Sequence, residues 1–563
     1  MMTLRQSIQG LALLLLALSL VACGGGGGDD SSANDNSTKY ASVVVTGVVT
    51  YEDKEYGSRG FTGNTAFKAV RFATVDLVDM SGTIIATTNT DEAGGYSLSG
   101  AGRGLYVRVM AQTNAAAGSV ITLHTHAGDG YAVTRTLDGS DGEVSLDLAI
   151  SLENSIAGAF NMMDVYTSAS QFVSSLSTTG LPDLNVYWQP ASSDYGTYFC
   201  PSIYRGGSCP QGKGIYILGG SSSGGDTDEY DDDVLMHEYG HYVEVALGVK
   251  DSPGGTHYLT DNDHDLRLAW SEGWGGFFPN ALKTWLRAND PERLSTTSGL
   301  DDAYFIDTYG SFASISINMA APNAWYCPGG IDCFIYSSSE IAVANVLAKL
   351  QDAYGIESIW AVYSQYMAHG TSAPATLESF WDGWKQQRSP AGDDLAIVNS
   401  IFENRQVYFQ QDEFEPDNTL VAARTLSACH GFLCSAEQHY LYKDDGSADV
   451  DVFRFSATAG TRYSIETLDL GNGADTYLRL LDGAGNVVYN GSGQMLVDDD
   501  RPGTTYCYSY DNPCRIHYDD TMLSSLLTFT PSVSGIYYVE VSSSPDRPVG
   551  AGRYGTYSIR ITR

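Results

Sequence analysis

Positively charged residues are scarce in this sequence. Lys and Arg number 31 against 67 Asp and Glu, which gives a formal net charge of −36 over 563 residues. So acidic a chain is repelled by phosphate backbones and by anionic lipid headgroups. Nucleic acid and an anionic membrane surface are therefore disfavoured as partners.

Long apolar runs and C-x-x-C pairs are also missing. Leu11 to Val21 forms an apolar segment after Arg5, too short to span a bilayer and typical of the core of a signal peptide. We find no other segment apolar enough for a transmembrane helix. The missing C-x-x-C spacing argues against zinc held by thiolates.

The apolar segment ends in Leu20-Val21-Ala22-Cys23, which resembles a bacterial lipobox. This resemblance implies that residues 1–22 are a lipoprotein signal peptide and that Cys23 is the lipidated first residue of the mature chain. An ordinary signal peptide, cleaved near Ala22, is the alternative. Glycines fill positions 24–28, and residues 23–40 read as a flexible tether. We therefore expect an exported protein of the bacterial cell envelope, at the outer membrane or cell surface, that contacts the membrane through its lipid alone.

The remaining eight cysteines fall into four close pairs. In an oxidising compartment, such pairs predict local disulfides that each close a short loop. The expected pairs are Cys200 with Cys209, Cys327 with Cys333, Cys429 with Cys434, and Cys507 with Cys514.

Hydrophobicity patterns divide the rest of the chain into three parts. Residues 41–150 read as short strands, residues 151–410 as an α+β segment with a mostly helical second half, and residues 411–563 again as strands. Thr90 to Leu98 (TDEAGGYSL) resembles the turn-and-strand signature of transthyretin-like or carboxypeptidase-regulatory-like sandwiches. The predicted fold is multidomain, with an N-terminal β-sandwich, a central α+β domain and a C-terminal β-sandwich.

The last of these parts resembles a known family. It opens with EPDNT at residues 415–419, alternates strictly at 449–455, and has further strands at 473–480, 535–541 and 555–561. This order resembles the bacterial pre-peptidase C-terminal domain, which implies an association with secreted peptidases.

The central part contains an HExxH motif. Residues 231–247 read DDDVLMHEYGHYVEVAL, with His237, Glu238 and His241 in the motif. On a helix, residues four apart share one face, so both imidazoles can reach one metal ion while Glu238 lies close enough to hold a water. Acidic residues before the motif suit a helix N-terminus, and Gly248 suits its C-terminal cap.

A catalytic zinc needs a third protein ligand. Glu272, in the segment AWSEGWGGFF (269–278), is favoured, and the glycines after it would let its helix approach the first closely. His257 and His264 are competitors. The metzincin spacing fails because positions 244 and 247 are Glu and Leu.

HEYGH followed by SEGWGGFF resembles the gluzincin (thermolysin- and fungalysin-like) zinc peptidases. The resemblance implies a zincin fold for 151–410, Zn²⁺ held by His237, His241 and Glu272, and Glu238 as general base in the attack of a zinc-activated water on a peptide bond. The substrate-binding strand is expected at Gly214 to Leu218 or at Thr197 to Phe199. The oxyanion donor stays open among Tyr309, Tyr336, His264 and His369.

One position departs from the family pattern. The acid four residues after the third ligand, which orients a ligand histidine in relatives, is Gly276 here. Asp233 or a neighbouring acid is expected to substitute, or the site is impaired. A surface adhesin or scaffold with a vestigial zinc site is accordingly the alternative to an active endopeptidase of proteins or peptides.

Calcium is a further candidate cofactor. Alternating acids at 261–265, and acids at 444–445 and 498–500, offer oxygen ligands, although the glycine and distant glutamate of an EF-hand loop are missing. Acidic surface loops are the alternative interpretation.

Overall fold

The computed structural model describes residues 41–137, 142–204, 207–220, 225–255, 257–368, 374–429, 437–444, 447–500, 523–545 and 552–563. Cys23, His369, Cys434, Cys507 and Cys514, for which the sequence predicts roles, lie outside these ranges. No helix in the described ranges is both long and apolar enough to cross a membrane.

Strands precede the first helix, as the alternating sequence predicts. They are β1 (Ala41–Gly57), β2 (Gly60–Ala69), β3 (Ala73–Val78), β4 (Ile84–Asn89), β5 (Gly95–Gly102), β6 (Tyr106–Thr113), β7 (Ile121–His124), β8 (Ala132–Thr136), β9 (Gly142–Ser145) and β10 (Leu148–Ile150).

The central part combines short strands with the helices of the chain. The strands are β11 (Leu184–Tyr187), β12 (Tyr198–Cys200), β13 (Ile203–Tyr204), β14 (Gly207–Ser208), β15 (Gly214–Tyr216), β16 (Tyr304–Tyr309) and β17 (Phe312–Asn318). The helices are α1 (Ala157–Leu176), α2 (Asp232–Leu247), α3 (Leu266–Asn289), α4 (Glu340–Tyr354), α5 (Ile356–Ala361), α6 (Leu377–Arg388) and α7 (Asp393–Glu403), with a π-helical turn (Val362–Met367) after α5.

The N-terminal strands do not close on themselves. β1, β2, β5, β9 and β10 form one sheet with β16 and β17, and β3, β4, β6, β7 and β8 form another with β11, β12 and β15. Each sheet therefore contains strands from both sides of residue 150. The sequence predicts a boundary there between a separate sandwich and the central domain. One hydrophobic core, with Val45, Phe160 and Trp274 among its buried members, serves both parts.

The C-terminal strands form two principal sheets. They are β18 (Arg424–Thr425), β19 (Glu437–Leu441), β20 (Lys443–Asp444), β21 (Ser447–Ala448), β22 (Val450–Ala457), β23 (Tyr463–Gly471), β24 (Thr476–Leu481), β25 (Val497–Asp498), β26 (Leu526–Phe529), β27 (Gly535–Ser543) and β28 (Gly555–Thr562). The order is β18-β22-β27-β24-β25 in one sheet and β19-β28-β23-β26 in the other. A second hydrophobic core belongs to these sheets, and Leu266, the first residue of α3, is part of it.

Candidate metal centre

Helix α2 carries the HExxH motif and ends as predicted. Gly248 adopts the left-handed conformation (φ 73°), and its N–H donates to carbonyl oxygens of the last turn. That conformation is easy for glycine and closes the helix C-terminus.

The aspartates at the start of α2 turn into the protein and fix the helix there. Asp231 accepts hydrogen bonds from the backbone N–H and hydroxyl of Thr308. Asp233 accepts from the backbone N–H of Ile306 at 2.9 Å and pairs with Lys283 at 2.6 Å, both side chains of the pair being fully buried. Asp233 is therefore committed to anchoring α2 and does not orient a histidine of the motif.

Three side chains converge where a metal is predicted. The Nε2 atoms of His237 and His241 lie 3.1 Å apart, and the Oε2 atom of Glu272 lies 3.3 Å from each of them. Four-coordinate zinc with bonds of about 2.0–2.2 Å separates neighbouring ligand atoms by roughly 3.3–3.6 Å. The spacing and the donor set, two imidazoles and a carboxylate, therefore fit zinc with only a small outward shift.

Glycines allow α3 to lie against α2. A Cβ built on Gly240 of α2 would lie 3.3 Å from the Cα of Gly275, and a Cβ on Gly275 would lie 2.7 Å from Cε1 of His237. Gly273 instead faces α4, where a Cβ would lie 2.6 Å from Val343. The glycines after Glu272 thus allow close contact of α3 with both α2 and α4. The sequence predicts only the contact with α2.

Glu244 supports His241. Its Oε2 lies 3.1 Å from Nδ1 of His241 and accepts a hydrogen bond from the Ser271 hydroxyl at 2.6 Å. Such a carboxylate orients a ligand imidazole and raises its basicity. The supporting acid is therefore on α2 itself, three residues after the histidine that it contacts.

His237 has no comparable support among the described residues. Its Nδ1 atom is buried without a hydrogen-bond partner. The ring packs edge-on against Phe305, with 5.8 Å between ring centroids. His237 is therefore the candidate ligand without a supporting carboxylate among the described residues.

Glu238 points to a sheet edge. Its Oε2 accepts a hydrogen bond from the backbone N–H of Phe199 at 2.6 Å. Phe199 is in β12, an edge strand next to β15, and β15 is enclosed between β12 and β11. Of the two predicted substrate strands, β12 alone has an edge without a paired strand within the described residues, and the Cys200–Cys209 disulfide closes the loop that follows it.

Two further ionisable residues lie beside the centre. His257, a predicted competitor of Glu272 for the third ligand position, is near it, and Glu340, for which the sequence predicts no role, lies next to His257. His257 lies 3.7 Å from Glu272 and 3.6 Å from Glu340, measured from its Nε2 to each Oε2. Burial raises the pKa of Glu340 to about 7. Burial also opposes ionisation of Glu272, but the imidazoles of His241 and His257 outweigh it and hold its pKa well below the usual range. Glu340 follows His257 by a long stretch of chain, so no spacing in the sequence indicates this contact.

The predicted oxyanion donors lie in different parts of the structure. Tyr309 is about half exposed and contacts the ring of Phe312. The ring of Tyr336 lies against Gly471 of the C-terminal sheets. A Cβ built on Gly471 would be 3.0 Å from Cε1 of Tyr336. His264 is fully buried beside His257. The identity of the donor stays a prediction.

The acids predicted for calcium do not gather into a group of ligand atoms within the described residues. Asp265 instead caps α3 by accepting from the N–H of Arg267 at 2.9 Å. Two other acidic groups do gather, Asp226, Asp228, Asp231 and Asp307 before α2, and Glu415, Asp417 and Asp451 in the C-terminal part.

Two of the predicted disulfides are confirmed. Cys200 pairs with Cys209, and Cys327 pairs with Cys333.

Comparison with known proteins yields one family match. Residues 449–543 match the family model described as the bacterial pre-peptidase C-terminal domain, which confirms the resemblance predicted for that part. No curated protein matches the chain. Together with the disulfides, the family match points to an exported bacterial protein.

Several solved structures are similar to parts of the chain. The precursor of protealysin, a metalloproteinase from Serratia proteamaculans, is 11% identical, and the match covers 52% of this chain and 88% of that one with a TM-score of 0.34. The pre-peptidase C-terminal domain of a collagenase from Bacillus anthracis is 13% identical over 25% of this chain and 93% of its own, with a TM-score of 0.16. CorA, a surface-associated copper-binding protein of Methylomicrobium album BG8, is 11% identical over 25% of this chain and 98% of its own, also with a TM-score of 0.16.

Proposed function

We propose that the chain is an exported zinc-dependent endopeptidase in which His237, His241 and Glu272 hold the metal and Glu238 is the general base. One observation carries the proposal, the convergence of two imidazole nitrogens and a carboxylate oxygen 3.1–3.3 Å apart. Three protein ligands leave a fourth position of a tetrahedral zinc for water or substrate, which is typical of catalytic sites.

Each residue of the site then has a distinct role in peptide hydrolysis. Zinc, when bound, supplies a Lewis acid that polarises the scissile carbonyl and acidifies the attacking water. Glu238 accepts a proton from that water and returns it to the leaving amine. The N–H of Phe199 holds the carboxylate of Glu238 in place. The free edge of β12 offers backbone groups with which an extended peptide can pair.

The location of the enzyme completes the proposal. We propose that Cys23 carries a lipid that tethers the protein to the bacterial cell envelope, so that its substrate is a protein or peptide outside the cytoplasm. This part is tested by metabolic labelling with a palmitate analogue. Label is expected on the wild type and absent from Cys23→Ala, and equal labelling of both would contradict it.

The rival function is a surface adhesin or scaffold in which the zinc site is vestigial. One observation favours it. His237 has a buried Nδ1 without a partner within the described residues, and position 276 provides no carboxylate for it. Loss of such a supporting group typically weakens metal binding or activity about 10- to 100-fold. The support of His241 by Glu244 and Ser271 argues in the other direction.

Replacing Glu238 with Gln separates the two functions. General-base catalysis contributes roughly 10²–10⁴-fold, so we expect casein hydrolysis to fall by about a thousandfold. Zinc content should stay unchanged, because Glu238 is not a ligand. The matched control is Glu153→Gln at an exposed position, which should keep wild-type activity.

If chelator-sensitive cleavage by the wild type is no greater than that by Glu238→Gln, the result supports the adhesin or scaffold function and contradicts the endopeptidase. Metal analysis gives an independent check. Purified wild-type protein should contain zinc, and Glu272→Ala should lose it.

A further inference from the structure

A second group of ligand atoms adjoins the proposed zinc site. His257 lies in the loop between α2 and α3, Glu272 is in α3, and Glu340 is the first residue of α4. One ligand atom from each lies within 4.8 Å of the others. We propose that these three residues hold a second divalent cation and that Glu272 is shared between the two metal positions.

The two distances from His257 are too long for hydrogen bonds and close to the separation of ligand atoms around a metal ion. Nε2 of His257 is 3.7 Å from Oε2 of Glu272 and 3.6 Å from Oε2 of Glu340. Charge-assisted N–H···O bonds have lengths of about 2.7–2.9 Å. Ligand atoms around a four-coordinate zinc are separated by roughly 3.3–3.6 Å. An ion between the three atoms therefore explains a spacing that direct contact does not.

The orientation of the imidazole supports the same conclusion. Nδ1 of His257 lies 3.1 Å from the carbonyl oxygen of Gly255. Because a carbonyl only accepts, Nδ1 carries the hydrogen, and Nε2 is the ring atom that faces the two carboxylates. Metal-binding histidines commonly donate their other N–H to a backbone carbonyl in this way.

Glu340 is the second observation that points to a ligand. Only 3% of the residue is exposed, and its Oε1 is buried without a hydrogen-bond partner in the described part of the chain. Buried carboxylates are costly unless they are paired or bind a metal. Glu340 is thus held inside the protein with Oε1 unpaired among the described residues and Oε2 facing His257.

The chemical class of the ion follows from the donors. One imidazole with two carboxylates suits zinc and other first-row divalent metals better than calcium, which prefers oxygen ligands alone. Two-metal hydrolases hold their ions roughly 3.5–4 Å apart and use both to stabilise developing negative charge. The inference rests on the proposed function in this respect. A second cation would supply positive charge to stabilise the oxyanion, a role for which the sequence offers four candidate donors.

Zinc stoichiometry tests the inference directly. Metal-free full-length protein is titrated with zinc alone at sub-micromolar concentrations, and bound ions are counted by native mass spectrometry with chelator competition. We expect two ions for the wild type and one for each of His257→Ala and Glu340→Gln, with binding of the second ion weakened at least a hundredfold. The matched control, His126→Ala, replaces a histidine beside Asp194 and should keep both ions.

Further variants separate the two metal positions. His237→Ala should keep one ion, whereas Glu272→Ala should lose or weaken both. His257 is in a loop and its side chain is 29% exposed, so its replacement tests the site even if the buried Glu340→Gln variant does not fold. Circular dichroism identifies variants that fail to fold.

The possible failures are distinguishable. A wild type that binds one ion, kept by His257→Ala and lost by His237→Ala, overturns the second position and leaves the proposed function intact. A single ion that is lost by His257→Ala and kept by His237→Ala supports the second position and contradicts the proposed function.

Discussion

Replacing Gly275 with alanine is expected to weaken zinc binding, whereas the same replacement at Gly276 is not. A Cβ on Gly275 would lie 2.7 Å from Cε1, 2.9 Å from Nδ1 and 3.0 Å from Nε2 of His237. At Gly276 the nearest atoms would be Cε of Met319 at 3.6 Å and Cβ of Ala344 at 3.7 Å. The two glycines are neighbours in one helix, so the pair isolates contact with the imidazole from other effects of the substitution.

The magnitude follows from the overlap. Carbon atoms in contact are about 3.5–4.0 Å apart, so the ring of His237 must move by roughly 0.8 Å or more. Phe305 packs against the same ring and restricts that movement. Metal sites tolerate ligand displacements of about 0.2 Å, and disturbing the support of a ligand typically weakens affinity about 10- to 100-fold. We expect a loss in that range or beyond for Gly275→Ala.

Helix propensity acts equally at both positions and supplies an internal control. Alanine is favoured over glycine by about 1 kcal/mol in a helix interior, which should raise the melting temperature of metal-free Gly276→Ala by roughly 1–2 °C. Zinc affinity is measured by competition with a chromophoric chelator, and stability by calorimetry. Equal zinc affinity in the two variants would refute the placement of Gly275 against a metal ligand.

Three further outcomes are expected. Glu244→Gln should weaken zinc binding about tenfold, because the carboxylate that supports His241 loses its charge, and the same chelator competition measures it. Lys283→Met should lower the free energy of unfolding in urea by about 3–5 kcal/mol, because it leaves Asp233 as an uncompensated buried charge, and the double variant with Asp233→Asn should recover most of the loss. Burial raises the pKa of Asp449 to about 8. The folded state therefore keeps a proton that the unfolded chain releases near pH 3.9, and the stability associated with that proton is lost as pH rises through the folded-state pKa. In chelator-containing buffer, Asp449→Asn should have the melting temperature of the wild type at about pH 4 and an increasingly higher one towards about pH 8; a constant difference would contradict the shifted pKa.

Much of the geometry of the candidate metal centre follows from short-range patterns. Residues four apart on a helix must share a face, so the HExxH spacing alone places His237 and His241 together once α2 forms. The choice of Glu272 agrees with its 3.3 Å distances to both histidines. Neighbouring cysteines close small loops, and Cys200–Cys209 and Cys327–Cys333 form as predicted. The helix and the two disulfides follow from the sequence because their interacting groups are local, whereas the role of Glu272 as a ligand stays a prediction.

The supporting residues show where such reasoning ends. Asp233 is a plausible substitute for the missing acid by proximity in sequence, but it faces Lys283 across the buried start of α2. Glu244 supports His241, because three residues along a helix bring its carboxylate beside that imidazole, while His237 Nδ1 has no partner within the described residues. The packing of α2 determines which of its faces contacts α3 and which contacts the sheets. This packing decides which of the two acids can reach a histidine of the motif.

The sequence by itself determined which residue types form the candidate metal centre, the helix that presents two of them, and the alternation of the C-terminal strands. Those features depend on periods of two or 3.6 residues and on short motifs. Tertiary structure alone decided that the N-terminal strands share both sheets with the central part. It also placed β12, an edge strand among the described residues, beside Glu238, and His257 between Glu340 and Glu272. Each of these is a contact between residues distant in the chain, and neither periodicity nor spacing encodes it.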